Sequence, residues 1–373
     1  MRSLIFAACL AVNVAFADDF VGFSAFENGD YKTAFDNLLP SAKNGNKEAM
    51  YIIGRMYQFG LGLNPNFAEA LVWYKRSAAK NYPLAQLSIG FLYDAGNGVP
   101  KDYTQAFHWY MKAAEGGNPI AQRNVGLMYA TGDGVKKNEK SAFKWFKKSA
   151  DQGYSKAQVN LGYQYITGGG TKKDVKQAMY WYEKAAQQGD EKGEFSLALL
   201  YTGKYGIPAD QKMANYWLDQ AANQGHPDAQ AYLAYQYLNG LGVTRDEQKA
   251  VYWYQASAEQ GNPFVQDELG QLLLTGVGLD RDYQKAAFWF NKSAERGNAF
   301  AQGKIGYLYA TGLGVTKNLT KAYAWLKLAA RNKNDQAVKD LRRLQSQLTV
   351  KDREEGEVLL KEITQRVNPM ESN

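Results

Sequence analysis

The sequence contains few of the residues that enzymes and metal sites use. Its 373 residues include one cysteine, Cys9, and two histidines, His108 and His226. Neither histidine has a second histidine at the spacing of a metal-ligand pair, and no cysteine follows residue 9. Thiol catalysis and zinc–thiolate sites are therefore excluded beyond that residue. We predict no catalytic residue, no cofactor-binding residue and no metal ligand.

Long hydrophobic runs are also absent, apart from one short run near the start. Met1 and Arg2 precede the apolar segment 4–12, which leads to Ala15-Phe16-Ala17 and the acidic pair Asp18-Asp19. This order predicts a secretory signal peptide, residues 1–17, cleaved after Ala17. The run is too short for a transmembrane segment, and no later stretch approaches eighteen apolar residues. We therefore expect an exported protein, periplasmic or secreted, that has no cysteine once the signal is removed.

The excess of positive charge is small. Loss of the signal peptide leaves 43 basic and 37 acidic residues, which is typical of a solvated mixed-charge surface rather than a nucleic-acid-binding one. Only nine prolines occur and aromatic residues are abundant, which excludes a disordered chain.

The tryptophans reveal how the chain is organised. All eight are separated by 36 residues, and a fixed period of this length is typical of repeat architectures. They are Trp73, Trp109, Trp145, Trp181, Trp217, Trp253, Trp289 and Trp325.

Each tryptophan lies in a predicted helix, called helix B. Alanine stands three residues before and five residues after each Trp, and a large apolar residue follows it directly. This spacing predicts one buried face of an α-helix. An Asp or Asn precedes every first alanine by four residues, as expected for an N-cap, and a Gly or Asn mostly follows the helix. The predicted caps are Asn66, Asp102, Asn138, Asp174, Asp210, Asp246, Asp282 and Asn318.

A second helix, helix A, precedes each cap. It contains a small residue, then an aliphatic residue four positions on, and next to that a Gly or Ala such as Gly54, Gly90 or Ala198. Glycine inside a helix costs about 1 kcal/mol relative to alanine, so its recurrence predicts a close approach to a neighbouring helix. A loop of the type Gly96-Asn97-Gly98-Val99 joins helices A and B.

This pattern resembles the Sel1-like repeat, a relative of the tetratricopeptide repeat. The shared motif reads A-x-x-x-L/I-G-x-x-Y-x-x-G-x-G-V-x-x-D-x-x-K-A-x-x-W-Y-x-K-A-A-x-x-G over residues 47–334. The resemblance implies an all-α, right-handed superhelical α-solenoid of eight helix-turn-helix repeats. It also implies an adaptor in envelope processes or, in pathogens, a factor acting on host cells. Repeats four, five and seven depart locally, at 168–171, 203–206 and Leu273, without changing the length of 36.

Both ends differ from the repeats. Residues 18–46 include a helix-B-like start, Asp30 to Phe35, but Asn37 stands where Trp would be, which predicts a degenerate half-repeat that caps the front. Residues 335–373 have no period and many charges, which favours charged capping helices. A coiled coil with a partner is the alternative, although fewer than three heptads are visible.

Two short motifs bear on an enzymatic function. Ser77 to Lys80 and Ser141 to Lys144 fit S-x-x-K, the motif of β-lactamases and penicillin-binding proteins, but no K-T-G or S-D-N accompanies them. The glycine-rich loop 168–173 lacks the pattern of a phosphate-binding loop. An envelope enzyme of the β-lactamase or peptidoglycan-processing kind thus remains only an alternative hypothesis.

The remaining candidate for function is the surface of helix A. In a helical solenoid the A helices line the concave side, where variable aromatic and Arg side chains can bind another protein. Packing between repeats is the alternative role for these residues. We expect one protein partner on this face and a monomeric chain. The predicted contact residues are Tyr51, Phe91, Arg123, Tyr163, Phe195, Tyr232, Tyr235 and Tyr307.

A second surface feature is basic. Lys or Arg precedes the helix-B cap in six of eight repeats, and two further lysines double the row, so this basic ridge could contact anionic lipids or glycans. Exposed lysines that only aid solubility are the simpler explanation. The ridge comprises Lys101, Lys136, Lys137, Lys172, Lys173, Arg245, Arg281 and Lys317.

Overall fold

A computed structural model describes residues 19–367, so the predicted signal peptide lies outside the described residues. The chain divides into two compact units, residues 1–188 and 189–373. Twenty α-helices and one 3₁₀ turn form the described part, in which no strand occurs. The predicted all-α fold is confirmed.

Unit 1 contains two leading helices and four A/B pairs. Helix α1 covers residues 19–27, and α2 covers Tyr31–Lys43. The A helices are α3 (Lys47–Phe59), α5 (Pro83–Ala95), α7 (Pro119–Thr131) and α9 (Ser155–Thr167). The B helices are α4 (Phe67–Ala78), α6 (Tyr103–Glu115), α8 (Glu139–Asp151) and α10 (Val175–Ala186).

Unit 2 contains four further pairs and a C-terminal segment. Its A helices are α11 (Glu191–Tyr201), α13 (Pro227–Asn239), α15 (Pro263–Thr275) and α17 (Ala299–Thr311). Its B helices are α12 (Gln211–Asn223), α14 (Glu247–Glu259), α16 (Tyr283–Glu295) and α18 (Leu319–Arg331). Then follow α19 (Asp335–Leu344), a 3₁₀ turn (Gln345–Gln347) and α20 (Val350–Val367).

Every predicted cap of helix B is formed. The Oδ1 atom of each Asp or Asn accepts a hydrogen bond from the backbone N–H three residues later, at 2.8–3.1 Å. Each such cap stabilises its helix by about 1 kcal/mol because it satisfies a donor that the first turn leaves free. The turn that follows helix B is also as predicted, since Gly117 and Asn81 both have positive φ, 90° and 55°.

The core of each repeat is an aromatic or leucine side chain of helix B packed on the small residue of helix A. The residue after each Trp is buried in all eight repeats. A Cβ on Gly126 would lie 2.6 Å from the ring of Phe146, and one on Gly54 would lie 2.6 Å from Tyr74. The predicted close approach is therefore between the helix-A backbone and a helix-B side chain of the same repeat.

The first repeat of unit 2 has the shortest A helix. Helix α11 ends at Tyr201, and Thr202 caps it in a right-handed conformation rather than a left-handed glycine. Gly203 and Gly206 then take positive φ values of 84° and 82°. Asp210 still accepts from the N–H of Met213, so helix B begins at the same register despite the altered loop.

Helix α20 returns to pack on α18. Leu360 and Ile363 are buried in the same cluster as Trp325, and Gly356 lies against the ring of Tyr323. The Tyr323 hydroxyl donates to Glu357 at 2.5 Å, and the Lys327 ammonium pairs with the same carboxylate. These contacts place the C-terminal segment against the last B helix.

Candidate protein-binding surface

In unit 1, two predicted contact residues on helix A are exposed. Phe91 and Tyr163 are 42% and 58% exposed, although the residues on either side of each are buried. Each directly follows the glycine that packs against the helix-B ring. Because neighbouring residues of a helix point in different directions, these side chains lie outside the buried face. Phe91 also contacts the core ring of Tyr110 edge-on, with centroids 5.5 Å apart.

Tyr51 and Arg123 of the same unit are held by neighbouring side chains. Tyr51 is half-buried against Tyr74 and Tyr82, with ring centroids 5.8 and 5.4 Å away. The Nε atom of Arg123 donates to Oδ1 of Asn160 at 3.0 Å. The contacts of Tyr51 lie within its own repeat, whereas the Arg123 contact joins two successive repeats, which is the alternative role for these positions.

Unit 2 brings three of its four predicted residues into reach of a partner. Tyr232, Tyr235 and Tyr307 are 42%, 52% and 42% exposed. Phe195 is half-buried, because it stacks on the imidazole of His226 at 4.5 Å and meets Tyr232 edge-on at 5.7 Å.

His226 has a structural role in this cluster. Its Nδ1 accepts from the N–H of Ala229 at 3.3 Å, which caps α13. Burial lowers its pKa, the effect of Lys192 adds to this, and the carboxylates of Asp228 and Glu191 oppose it. These contacts use the imidazole of His226 for helix capping and for ring stacking.

An acidic side chain on α15 adds charge to the face of unit 2. The Oδ1 atom of Asp267 is buried and has no hydrogen-bond partner among residues 19–367. Burial raises the pKa of Asp267 to about 6, and the neighbouring carboxylate of Glu268 acts in the same direction, while Lys304 opposes them. An unsatisfied carboxylate oxygen favours contact with a donor from outside the chain.

All eight residues of the predicted basic ridge are exposed. Lys137 pairs with Glu139 at 3.6 Å, and Arg245 pairs with Glu247. Arg281 donates to the hydroxyl of Tyr283 at 3.2 Å, and the Lys101 ammonium lies 4.5 Å from the Tyr103 ring. Of these contacts, only the two ion pairs offset positive charge on the ridge.

The serine of the first S-x-x-K motif has a structural role. The Ser77 hydroxyl is fully buried and donates to the carbonyl of Lys47 at 2.7 Å. Ser149, Ser257 and Ser293 make the same bond to the first residue of their own helix A, at 2.6–2.8 Å. Ser77 therefore belongs to a structural position. No cluster of potential metal ligands occurs within the part of the chain that the structure describes.

One exposed aromatic set was missed in the sequence. Helix B carries an aromatic residue directly before Trp in four consecutive repeats, and each ring contacts that Trp edge-on with centroids 4.9–5.1 Å apart. Recurrence at a single repeat position was the available signal. These helix-B aromatics are Tyr180, Tyr216, Tyr252 and Phe288, and they are 47–64% exposed.

Comparison with known families agrees with the helical architecture. The model of the Sel1 repeat matches eight consecutive segments: residues 47–82, 83–118, 119–154, 155–190, 192–226, 227–262, 263–298 and 299–334. The chain belongs to the Sel1 repeat family. Proteins built of Sel1 repeats generally mediate protein–protein interactions. No curated protein matches the chain significantly.

Two solved structures are similar over most of this Sel1 repeat protein. A Sel1 repeat protein from Oxalobacter formigenes is 33% identical, covers 83% of this chain and 90% of its own, and has a TM-score of 0.63. A protective antigen of uropathogenic Escherichia coli with an SLR fold is 29% identical, covers 98% and 87%, and has a TM-score of 0.58. Both support the α-solenoid fold. Across residues 19–367, no helix combines the length and hydropathy needed to cross a bilayer.

Proposed function

We propose that this Sel1 repeat protein is a non-enzymatic scaffold that binds another protein through the concave face lined by its A helices. The carrying observation is the set of exposed aromatic residues at one register of helix A. Phe91 and Tyr163 in unit 1, and Tyr235 and Tyr307 in unit 2, are 42–58% exposed between buried neighbours. Exposed aromatic rings contribute large contact areas at little entropic cost, which is why they dominate binding energy at interfaces.

The chemistry of this face indicates what the partner presents. Aromatic rings need apolar or aromatic groups opposite them, and Asp267 needs a donor for its buried Oδ1 atom. Arg123 in unit 1 donates to Asn160 through Nε, which leaves its terminal N–H groups for an acceptor on the partner. We therefore expect a largely apolar partner surface with a few polar groups, and binding that depends weakly on salt.

The basic ridge predicts a different salt dependence. A partner or anionic surface held by lysines would lose affinity steeply as salt is raised. The ion pairs of Lys137 and Arg245 with nearby glutamates support the aromatic face instead.

Export is a second part of the proposal. It rests on the order of charge, apolar run and A-x-A site in residues 1–17. The similar structure of a protective antigen supports a role at the cell surface or towards a host. N-terminal sequencing of the protein recovered from the producing organism tests the cleavage: an N-terminus at Asp18 is expected, and a retained Met1 would contradict export.

Capture of a partner by matched variants tests the binding face. Residues 18–373 are compared with the double variants Phe91→Ala/Tyr163→Ala and Tyr235→Ala/Tyr307→Ala. The control is Tyr180→Ala/Tyr252→Ala, which removes two exposed aromatic residues of helix B. Each chain is exposed to bacterial envelope extract and to host-cell lysate, after circular dichroism has established that it is folded.

The proposal predicts that at least one helix-A variant loses a protein that the native chain and the helix-B variant both retain. The extract that supplies this protein then separates an envelope role from a host role. Equal retention by both helix-A variants would contradict the proposed face, and loss only from the helix-B variant would move the site to helix B.

A further inference from the structure

A buried glutamine links successive helices in unit 1. In repeats three and four, Nε2 of Gln122 donates to the Ala114 carbonyl and Nε2 of Gln158 donates to Ala150, at 3.1 and 3.4 Å. Their Oε1 atoms accept from Gln152 and Gln188 at the end of helix B, at 2.7 and 2.8 Å. We call this arrangement the glutamine relay. It gives a hydrogen-bond partner to both the nitrogen and the oxygen of a carboxamide on a side chain that is almost completely buried.

Repeat two breaks the relay. Gln86 occupies the same position and is 5% exposed, but Gly116 stands where Gln152 and Gln188 stand in the next repeats. Among the described residues, the carboxamide of Gln86 has no hydrogen-bond partner on either its oxygen or its nitrogen. Neither atom is sealed from solvent, because neither belongs to the fully buried, unpaired polar atoms of residues 19–367, so both are open to a partner from outside the chain.

The missing side chain of Gly116 leaves a cavity beside this carboxamide. Its volume is about 600 Å³, within the range of small-molecule sites. Lys75, Gln86, Trp109, Lys112 and Glu115 line it, together with Gly116 itself. The Lys112 ammonium lies 4.7 Å from the centroid of the Trp109 ring, so one cation is held at the wall.

The lining groups define a specific ligand chemistry. A primary carboxamide is matched by a second carboxamide, which donates to Oε1 and accepts from Nε2 of Gln86 at the same time. The ammonium groups of Lys75 and Lys112 suit a carboxylate, and the carboxylate of Glu115 suits an ammonium group. The Trp109 ring offers an apolar surface for a short aliphatic chain.

We propose that this cavity binds a glutamine-type ligand, with its side-chain carboxamide on Gln86 and its α-carboxylate on Lys75 and Lys112. The ligand's amide nitrogen donates to Oε1 of Gln86, as Gln152 and Gln188 donate to Gln122 and Gln158. Its amide oxygen accepts from Nε2 of Gln86, which takes the place of the backbone carbonyl that Gln122 and Gln158 use. Such a group is supplied either by free glutamine or by the C-terminal glutamine of a peptide. The site is independent of the proposed protein-binding face, because Gln86 is a buried residue of helix A and the other lining residues lie on B helices or directly after them.

Titration calorimetry on residues 18–373 tests the site with four probes: L-glutamine, L-glutamate, N-acetyl-Gly-Gly-Gln and the C-terminal amide of that peptide. L-glutamine is expected to bind at least tenfold more tightly than L-glutamate, because glutamate loses the carboxamide pair. The peptide should bind at least tenfold more tightly than its amide, which has no carboxylate. Tighter binding of L-glutamine identifies the free amino acid as the ligand, and equal or tighter binding of the peptide identifies a C-terminal residue.

The variant Gly116→Gln provides the matched control. Gly116 has φ of −71°, an ordinary conformation for any residue, and a Cβ there lies 3.0 Å from Pro83, which must shift slightly. The new side chain should fill the cavity, bond to Gln86, raise the unfolding temperature and reduce L-glutamine binding at least tenfold. The proposal would be overturned if neither L-glutamine nor the peptide bound detectably at millimolar ligand concentration in tenfold excess over protein. Unchanged affinity in a folded Gly116→Gln chain would overturn it as well.

Discussion

The ring of Phe146 rests directly on the backbone of Gly126, so that a Cβ at position 126 would stand 2.6 Å from the ring. The same arrangement joins Gly54 to Tyr74, Gly162 to Tyr182 and Gly270 to Phe290, where an added Cβ would stand 2.5–2.8 Å from the ring. Each contact lies between helix A and helix B of one repeat and is fully buried or nearly so. The glycine therefore sets how closely the two helices of a repeat approach.

Replacing Gly126 by alanine should destabilise the chain by about 1–3 kcal/mol, because the ring must move away from its packed position. The greater helix propensity of alanine offsets at most about 1 kcal/mol of this. Denaturant unfolding followed by circular dichroism measures the difference. The double variant Gly126→Ala/Phe146→Leu is the control, since repeat five naturally pairs Ala198 with Leu218, and it should recover part of the loss. A single variant as stable as the native chain would contradict this account.

The cap of α13 should make stability depend on pH. Nδ1 of His226 must be unprotonated to accept from Ala229, and the pKa of this histidine is lowered in the folded chain. Its contribution is present above the ordinary histidine pKa of about 6.5 and is lost as the pH falls below it, since the unfolded chain then takes up the proton more readily.

Unfolding measured between pH 7.5 and 5 checks this expectation. The variant His226→Asn should lack the histidine part of the pH dependence, because Asn118, Asn262 and Asn298 cap the equivalent helices without titrating. The expected difference is about 1 kcal/mol, the usual value of an N-cap. Identical pH dependence in the two chains would show that the cap does not titrate.

Asp267 should reduce stability at neutral pH. Its folded-state pKa of about 6 lies above the ordinary value for aspartate, so the ionised form is disfavoured in the folded chain. The destabilisation is present above pH 6 and is relieved as the pH falls towards 4. Asp267→Asn should therefore raise the free energy of unfolding by about 1–2 kcal/mol at pH 7, after allowance for partial exposure, and by much less at pH 4. A gain that is equal at both pH values would contradict the burial argument.

The C-terminal helix should loosen when its ion pair is removed. Glu357 accepts from the Tyr323 hydroxyl and pairs with Lys327, so Glu357→Gln leaves the Lys327 ammonium without its carboxylate. Hydrogen exchange over residues 350–367 should become several-fold faster, while exchange in α13 and α14 stays the same. Glu354→Gln, at an exposed position on the same helix, is the control and should change nothing. Equal exchange in both variants would show that the apolar contacts of Leu360 and Ile363 alone hold α20.

Much of the fold could be predicted because local rules and the repeat period agree. The eight caps from Asn66 to Asn318 and the positive φ of Gly117 follow from a residue type at a fixed place. The packing of α20 on α18 could not be predicted, because Leu360 and Ile363 belong to a segment without a sequence period.

The candidate sites could be predicted less completely from the sequence. The column of Phe91 and Tyr163 was identified, but only the structure shows that Tyr51 and Phe195 are partly used in packing. The isolation of Gln86 depends on a glycine 30 residues away, so neither residue is informative by itself. The helix-B aromatics, in contrast, were visible as a recurring residue before Trp and were overlooked.

Photo-crosslinking at two positions of unit 1 tests the central claim most directly. A photoreactive phenylalanine replaces Tyr163 on helix A in one chain and Tyr180 on helix B in another, two tyrosines of comparable exposure, 58% and 47%. Both chains are irradiated with the extract that supplied the captured protein. The account predicts that this protein crosslinks to position 163 and not to position 180. Crosslinking through position 180 alone would contradict the binding face on helix A.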